Sequence, residues 1–279
     1  MTKERLRRAE RRANVVAMES SQPDRFDSLM VAVDFAPAAD RMLPIVGRFA
    51  QKGGLSIELV TTGSKGLEEY DFADLSERTR AVHGCPVSTK VLEGTQTAAD
   101  LAGYARSRPG ALLCLASHGR TALGDLIVGS MTEELLRQHA GPMFAVGPDV
   151  PDDNEPSDHL LVSVDADALH TPLLAVSAAW QATFGGTVEL FEAVTKGSAA
   201  VEVAPTEELI AAQALLPTAK TTVVESHDPA RAIGDQAMSS GSIIAVAAHA
   251  RGGLERLVRG SVTGELLHRA TVPLLIVPA

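Results

Sequence analysis

The sequence predicts an α/β protein made of two tandem open sheets, each of five parallel strands with helices on both faces. Three observations predict it. Short apolar runs alternate with helical stripes, as buried parallel strands alternate with their crossover helices. The whole pattern is written twice. Between the copies lies Pro148 to Asp158 (PDVPDDNEPSD), a polar, proline-rich stretch of the kind that links domains.

The repeat keeps one register throughout. Leu29–Asp34 (LMVAVD) matches Leu160–Asp165 (LLVSVD), and the strand reaching Leu59 matches the one reaching Leu190. His118 matches His249, Gly129-Ser130 matches Gly260-Ser261, and Pro142 matches Pro273, each pair at a constant offset of 131. Chance does not hold one offset over so long a chain. The expected organisation is a basic arm (1–25), a first domain (26–147), a linker (148–158) and a second domain (159–279).

Within the first half, Leu29–Val33 reads as a buried strand ending at Asp34. Asp40–Gln51 carries a helical stripe at Leu43, Val46, Phe49 and Ala50, in which Pro44 is uncomfortable unless the helix begins late. Leu55–Val60 and Val87–Leu92 are the next strands, and Ala98–Ser107 is a helix. Ala111–Ala116 (ALLCLA) is another buried strand, Ser130–His139 the last helix, and Met143–Val146 the closing strand. In the second half Asp228-Pro229 is a cap followed by proline in the first turn, a good helix start. Lys65 to Ser76 and Lys196 to Glu208 read as long connections with no assigned element.

Composition bounds the function. The chain is 45% hydrophobic but only 4% aromatic, so the two cores are aliphatic. A net charge of -10 argues against broad contact with nucleic acid or an anionic membrane. The first twelve residues run the other way, with six basic residues against Glu4 and Glu10. Leu6, Ala9, Ala13 and Val16 give this arm a weak stripe; it reads as a solvated, partly disordered tail rather than a partner-binding or membrane-touching helix. Cys85 and Cys114 form no disulfide or zinc pattern. No apolar stretch approaches the roughly 20 residues of a membrane span, and the basic start lacks the features of a signal peptide. The expected location is the cytoplasm.

The segment that carries chemistry is Ala116-Ser117-His118-Gly119, followed by nine residues and then Gly129-Ser130. A strand ends, a loop passes through glycine, and a helix begins at Ser130, with Ser130-x-x-Glu133 as a capping box. Glycines let backbone approach a ligand, and free N–H groups at a helix start favour an anion such as phosphate. A glycine-containing connection with no ligand is the equal alternative from pattern alone. Arg120 and Arg251 could each reach a phosphate or lie solvated at the surface. His118 and His249 read as structural residues of a strand-exit turn.

At these residues the chain resembles the tandem universal stress proteins, over nearly all of residues 29–279. The resemblance implies a Rossmann-like fold of the adenine nucleotide alpha hydrolase-like type, and ATP, with magnesium, as the ligand. It implies that Asp34 contacts the adenosine part, that Val60 and Leu115 flank the adenine, and that Gly119, Gly129 and Ser130 cradle the phosphates, with Ala116, Ser117 and Arg120 on the same loop. It further implies that family members pair through the last strand. In a tandem chain the edges at Met143–Val146 and Leu274–Val277 would then cover each other, a pseudo-dimer within one polypeptide, and the sequence leaves a further homodimer and protein partners open.

The motif departs from the family pattern in one direction. Its first glycine is Ala116, and in the second half both early glycines are alanines, Ala247 and Ala250, leaving Asp165, Gly260 and Ser261. Phe191 stands at the counterpart of Val60, a ring expected near where adenine would lie, and Gly264 replaces Glu133 of the capping box. The expectation is a nucleotide-binding stress-response protein with a degenerate second site. A ligand-free scaffold for protein partners is the alternative. No nucleophile elbow, P-loop or metal motif points to an enzyme, and slow ATP hydrolysis at the Gly129-Ser130 loop is the enzymatic alternative.

Overall fold

The computed structural model describes residues 24–33, 37–63, 68–94, 96–117, 130–194, 204–248 and 262–278. The first half contains β1 (Ser28–Ala32), α1 (Pro37–Gly53), β2 (Ser56–Gly63), α2 (Glu68–Arg78), β3 (Val87–Glu93), α3 (Thr97–Arg106), β4 (Ala111–Ala116), α4 (Ser130–Gln138) and β5 (Met143–Val146). The second contains β6 (His159–Val164), α5 (Thr171–Phe184), β7 (Thr187–Val194), α6 (Glu207–Leu215), β8 (Lys220–Glu225), α7 (Pro229–Ser240), β9 (Ile243–Ala248), α8 (Val262–Arg269) and β10 (Leu274–Pro278).

The two five-stranded sheets are continuous. Their strands form one sheet in the order β3-β2-β1-β4-β5-β10-β9-β6-β7-β8. Every pairing inside a half is parallel, and β5 meets β10 antiparallel. At that seam Phe144 lies opposite Leu275, its own repeat counterpart. The halves are therefore related by a two-fold axis through this pair. The two strand edges cover each other's free N–H and C=O groups.

Alternation along the strands builds two apolar layers, one on each face. On one face Val31, Leu59 and Cys114 pack with Leu43, Val46 and Phe49 of α1 and with Val176 and Trp180 of α5. On the other, Met30, Val60 and Leu115 pack with Leu101 of α3 and Leu135 of α4, and Phe191 with Ile233 of α7. The first layer joins the halves through aromatic rings. Phe49 and Trp180, which are repeat counterparts, lie 5.7 Å apart, and Phe144 stacks on Trp180 at 5.6 Å. Phe184 packs on Trp180 at 4.3 Å in space that a Cβ on Gly53 would invade, since that atom would fall 2.8 Å from the ring.

Three local outcomes differ from the sequence expectation. The helix α1 does not begin after Pro44; it begins at Pro37 and carries Pro44 inside it. Proline removes the amide that would bond the carbonyl of Asp40. Burial of Met42, Leu43, Ile45, Val46 and Phe49 offsets that loss. The two long connections hold helices, α2 and α6. Helix α6 is capped by Thr206, whose hydroxyl accepts a bond from the Leu209 amide at 3.2 Å. The expected start of α7 is observed, with the Asp228 carboxylate accepting from the Arg231 amide at 3.0 Å.

The segment between the halves runs along α1, held by three basic residues of that helix. Arg41 bonds Asp152 at 2.8 Å and the carbonyls of Pro148 and Val150, each at 3.3 Å. Arg48 donates to the carbonyls of Asp152 (2.6 Å) and Asn154 (2.8 Å). Lys52 donates to those of Pro156 (3.3 Å) and Ser157 (3.2 Å) and pairs with Asp158. At the counterpart of Lys52, Thr183 of α5 accepts a buried bond from the Phe26 amide at 2.8 Å, so each half's first strand is approached the same way. No described helix is long and apolar enough to cross a membrane.

Candidate functional site

Strand order reverses between β1 and β4 in the first half and between β6 and β9 in the second. The connection from β1 leads to α1 on one face and that from β4 to α4 on the other, so their carboxyl ends part and leave a crevice. In the first half its rim is closed by backbone bonds. The Val33 amide donates to the Val60 carbonyl at 2.9 Å, and the Ser117 amide to the Val146 carbonyl at 3.0 Å.

The structure places the sequence-selected residues around this crevice in different ways. The side chains of Val60 (0% exposed) and Leu115 (3%) are packed into the α3–α4 layer, so what either offers a ligand is backbone. Ala116 packs into the opposite layer beneath α1. Ser117 is buried at the exit of β4. Ser130 is the first residue of α4, so a helix N-terminus stands beyond the loop that leaves β4. Asp34, His118, Gly119, Arg120 and Gly129 lie outside the described residues, as do His249, Ala250, Arg251, Gly260 and Ser261.

The second crevice is chemically different. Asp165 turns its carboxylate onto its own loop: Oδ1 accepts from the Asp167 amide at 2.9 Å, its carbonyl accepts from Ala168 at 3.4 Å, and Oδ2 lies 3.7 Å from His170 Nε2. This is the turn-capping role open to an aspartate at a strand end. Phe191 does not project into the crevice. It is 1% exposed and lies in the layer beneath α7, so its bulk is absorbed by the core.

The residue that sequence reasoning missed is Glu192. It follows Phe191 on β7 at the position of Thr61, and it is fully buried opposite Val164. Thr206 donates to it through its amide at 3.2 Å and through its hydroxyl. Burial pushes its carboxyl above the ordinary range; the two bonds from Thr206 pull the other way, while Glu208 and Asp165 push it up further. The signal was present in the repeat, since one step beyond the Val60–Phe191 pair a threonine is replaced by an acid within an apolar strand. Thr61 is buried in the first half with no such charge. Beside Asp165, the counterpart of Asp34, the second half thus carries a further carboxyl group, Glu192, where the first half has the neutral Thr61. Among the described residues no group of three or more His, Cys, Asp or Glu is placed to hold a metal ion.

Comparison with known proteins gives a consistent picture. The universal stress protein family model matches residues 25–147 and 150–278. A universal stress protein of Mycobacterium tuberculosis is 28% identical over 242 residues, covering 78% of this chain and 75% of its own. The crystal structure of a universal stress protein from Archaeoglobus fulgidus superposes with a TM-score of 0.69 at 16% identity, over 90% of this chain and 98% of that one. A functionally unknown protein from Pseudomonas aeruginosa gives a TM-score of 0.61 at 15% identity, over 91% and 93% of the two chains.

Proposed function

The chain belongs to the universal stress protein family, and from that premise we propose that its first half binds an adenine nucleotide, ATP with magnesium, while its second half is a structural twin that binds none. The observation that carries this reading is the asymmetry of the two crevices. Thr61 at the end of β2 is matched by the buried, acid-flanked Glu192 at the end of β7. The loop sequences point the same way, since Gly119 in the first half is matched by Ala250 in the second. A methyl group there either strains a left-handed backbone or blocks close approach of a phosphate. Asp34 is proposed to hold the adenosine part, and Gly119, Gly129 and Ser130 the phosphates, beside the start of α4.

Calorimetric titration of the full chain with magnesium-ATP tests it. Asp34→Ala and Gly129→Val each weaken binding at least about tenfold, the worth of one charge-assisted hydrogen bond, and Asp165→Ala leaves it unchanged. Loss of binding in Asp165→Ala alone would place the nucleotide in the wrong half.

A second reading has an observation in its favour. Ala116, at the family's first glycine, is packed beneath α1, and both halves share one continuous sheet and one aromatic core. A scaffold that works through its surfaces, without nucleotide, would show no heat on ATP addition and no nucleotide released on denaturing the purified protein.

A further inference from the structure

Beside the first crevice lies a groove lined by Ala38 and Arg41 of α1, Ser117 and Gly147 just past β4 and β5, and Val150 and Asp152 of the segment joining the halves. It therefore touches the exit of the strand that leads into the glycine loop, the helix that follows Asp34, and the interdomain linker at once. Arg41 is the cation in it. Its guanidinium spans the groove, bonded to Asp152 at 2.8 Å and to the carbonyls of Pro148 and Val150.

These bonds are easily exchanged. Arg41 is 48% exposed and Asp152 61%, and an ion pair so exposed to water is weak. A phosphoryl group carries more charge than a carboxylate and fits the guanidinium fork as well, so it competes for Arg41. The second half has no equivalent, because Pro172 occupies the counterpart of Arg41. The asymmetry follows the same direction as the glycines and as Thr61 against Glu192.

We propose that Arg41, half-exposed at the edge of this groove, is an anion-binding residue of the first crevice, which exchanges Asp152 for a phosphoryl group of the nucleotide and thereby releases the linker. The inference rests on the nucleotide reading of the first half and adds to it a route by which occupancy reaches the joint between the halves. Arg48 and Lys52 keep their own holds further along α1. Arg48 still holds the Asp152 carbonyl, so the release is confined to the stretch from Pro148 to Pro151.

The test titrates the full chain with ATP and with adenosine, and follows deuterium exchange of the linker amides of Asp149 and Val150. Arg41→Ala weakens ATP binding about tenfold and leaves adenosine binding unchanged. Asp152→Asn, which frees the guanidinium without disturbing α1, tightens ATP binding about threefold. ATP, but not adenosine, speeds exchange of the linker amides in the wild type. If Arg41→Ala weakens ATP and adenosine equally, or Asp152→Asn leaves ATP affinity unchanged, or ATP leaves the linker amides unaltered, the latch is overturned and the nucleotide site stands. A wild-type chain that binds neither ATP nor adenosine overturns the nucleotide reading, and the latch with it.

Discussion

His139, just past α4, occupies the position that Ala270 holds in the second half. It is buried, its ring donates to the carbonyl of Pro142, and Nδ1 has no hydrogen-bond partner. A second proton would sit on Nδ1 in a dry site, so burial holds its pKa below the ordinary 6.5, and the charge of Arg106 adds to this. The unfolded chain then takes up the proton first. Stability from the neutral ring is complete above the unfolded value near pH 6.5 and is lost as pH falls through the lower folded value, by up to about 1.4 kcal/mol per pH unit. Urea unfolding between pH 7.5 and 5 should show this slope in the wild type and a flatter one in His139→Leu; equal slopes would remove His139 from the account. Glu192 belongs to the same scale. Its identity is readable from the repeat, where it replaces Thr61 beside the more conspicuous ring of Phe191. Sequence gives the identity of a residue at a strand end, while the face its side chain takes follows from the pleat, and that sent Phe191 to the core and Glu192 to Thr206.

The elements show where periodicity is informative. β4 and β5 have the bounds expected of them, because both are continuous apolar runs with buried side chains on both faces. α2 and α6 were missed for opposite reasons. α2 (EEYDFADLSER) is mostly polar, with Leu75 as its fully buried anchor. α6 (EELIAAQAL) is apolar nearly all round, so no stripe marks it. Its start was legible in Thr206-Glu207-Glu208, a cap followed by an acidic first turn. Pro44 does not mark a helix boundary. Tertiary burial on both sides of it outweighs the missing bond, and α1 runs through the proline. Pro44→Ala should restore a donor to the Asp40 carbonyl. The gain is set against the looser unfolded chain, and the net is a stabilisation of about 1–2 kcal/mol in urea. An unchanged or lowered midpoint would mean that α1 has relaxed around the proline.

At the scale of the whole molecule, the repeat builds one body rather than two. The sheet crosses the two-fold axis without a break, and Phe49, Phe144, Trp180 and Phe184 knit the halves on one face. Trp180 touches Phe49, Phe144 and Phe184. Trp180→Ala should cost about 3–5 kcal/mol, with both halves lost together in a single unfolding transition; two separated transitions in the wild type would show that the halves fold independently. The fold and its doubling were legible in the constant spacing of 131 residues, carried by pairs such as Asp34 and Asp165. The candidate site was legible only as a loop sequence, because its asymmetry depends on which side chains the pleat turns inward. Shared architecture with divergent crevices leads to a count. Native mass spectrometry of the full chain in magnesium-ATP measures it directly: the account predicts one ATP per chain, absent in Asp34→Ala and retained in Asp165→Ala. Two nucleotides per chain, or one that survives Asp34→Ala and disappears in Asp165→Ala, would contradict it.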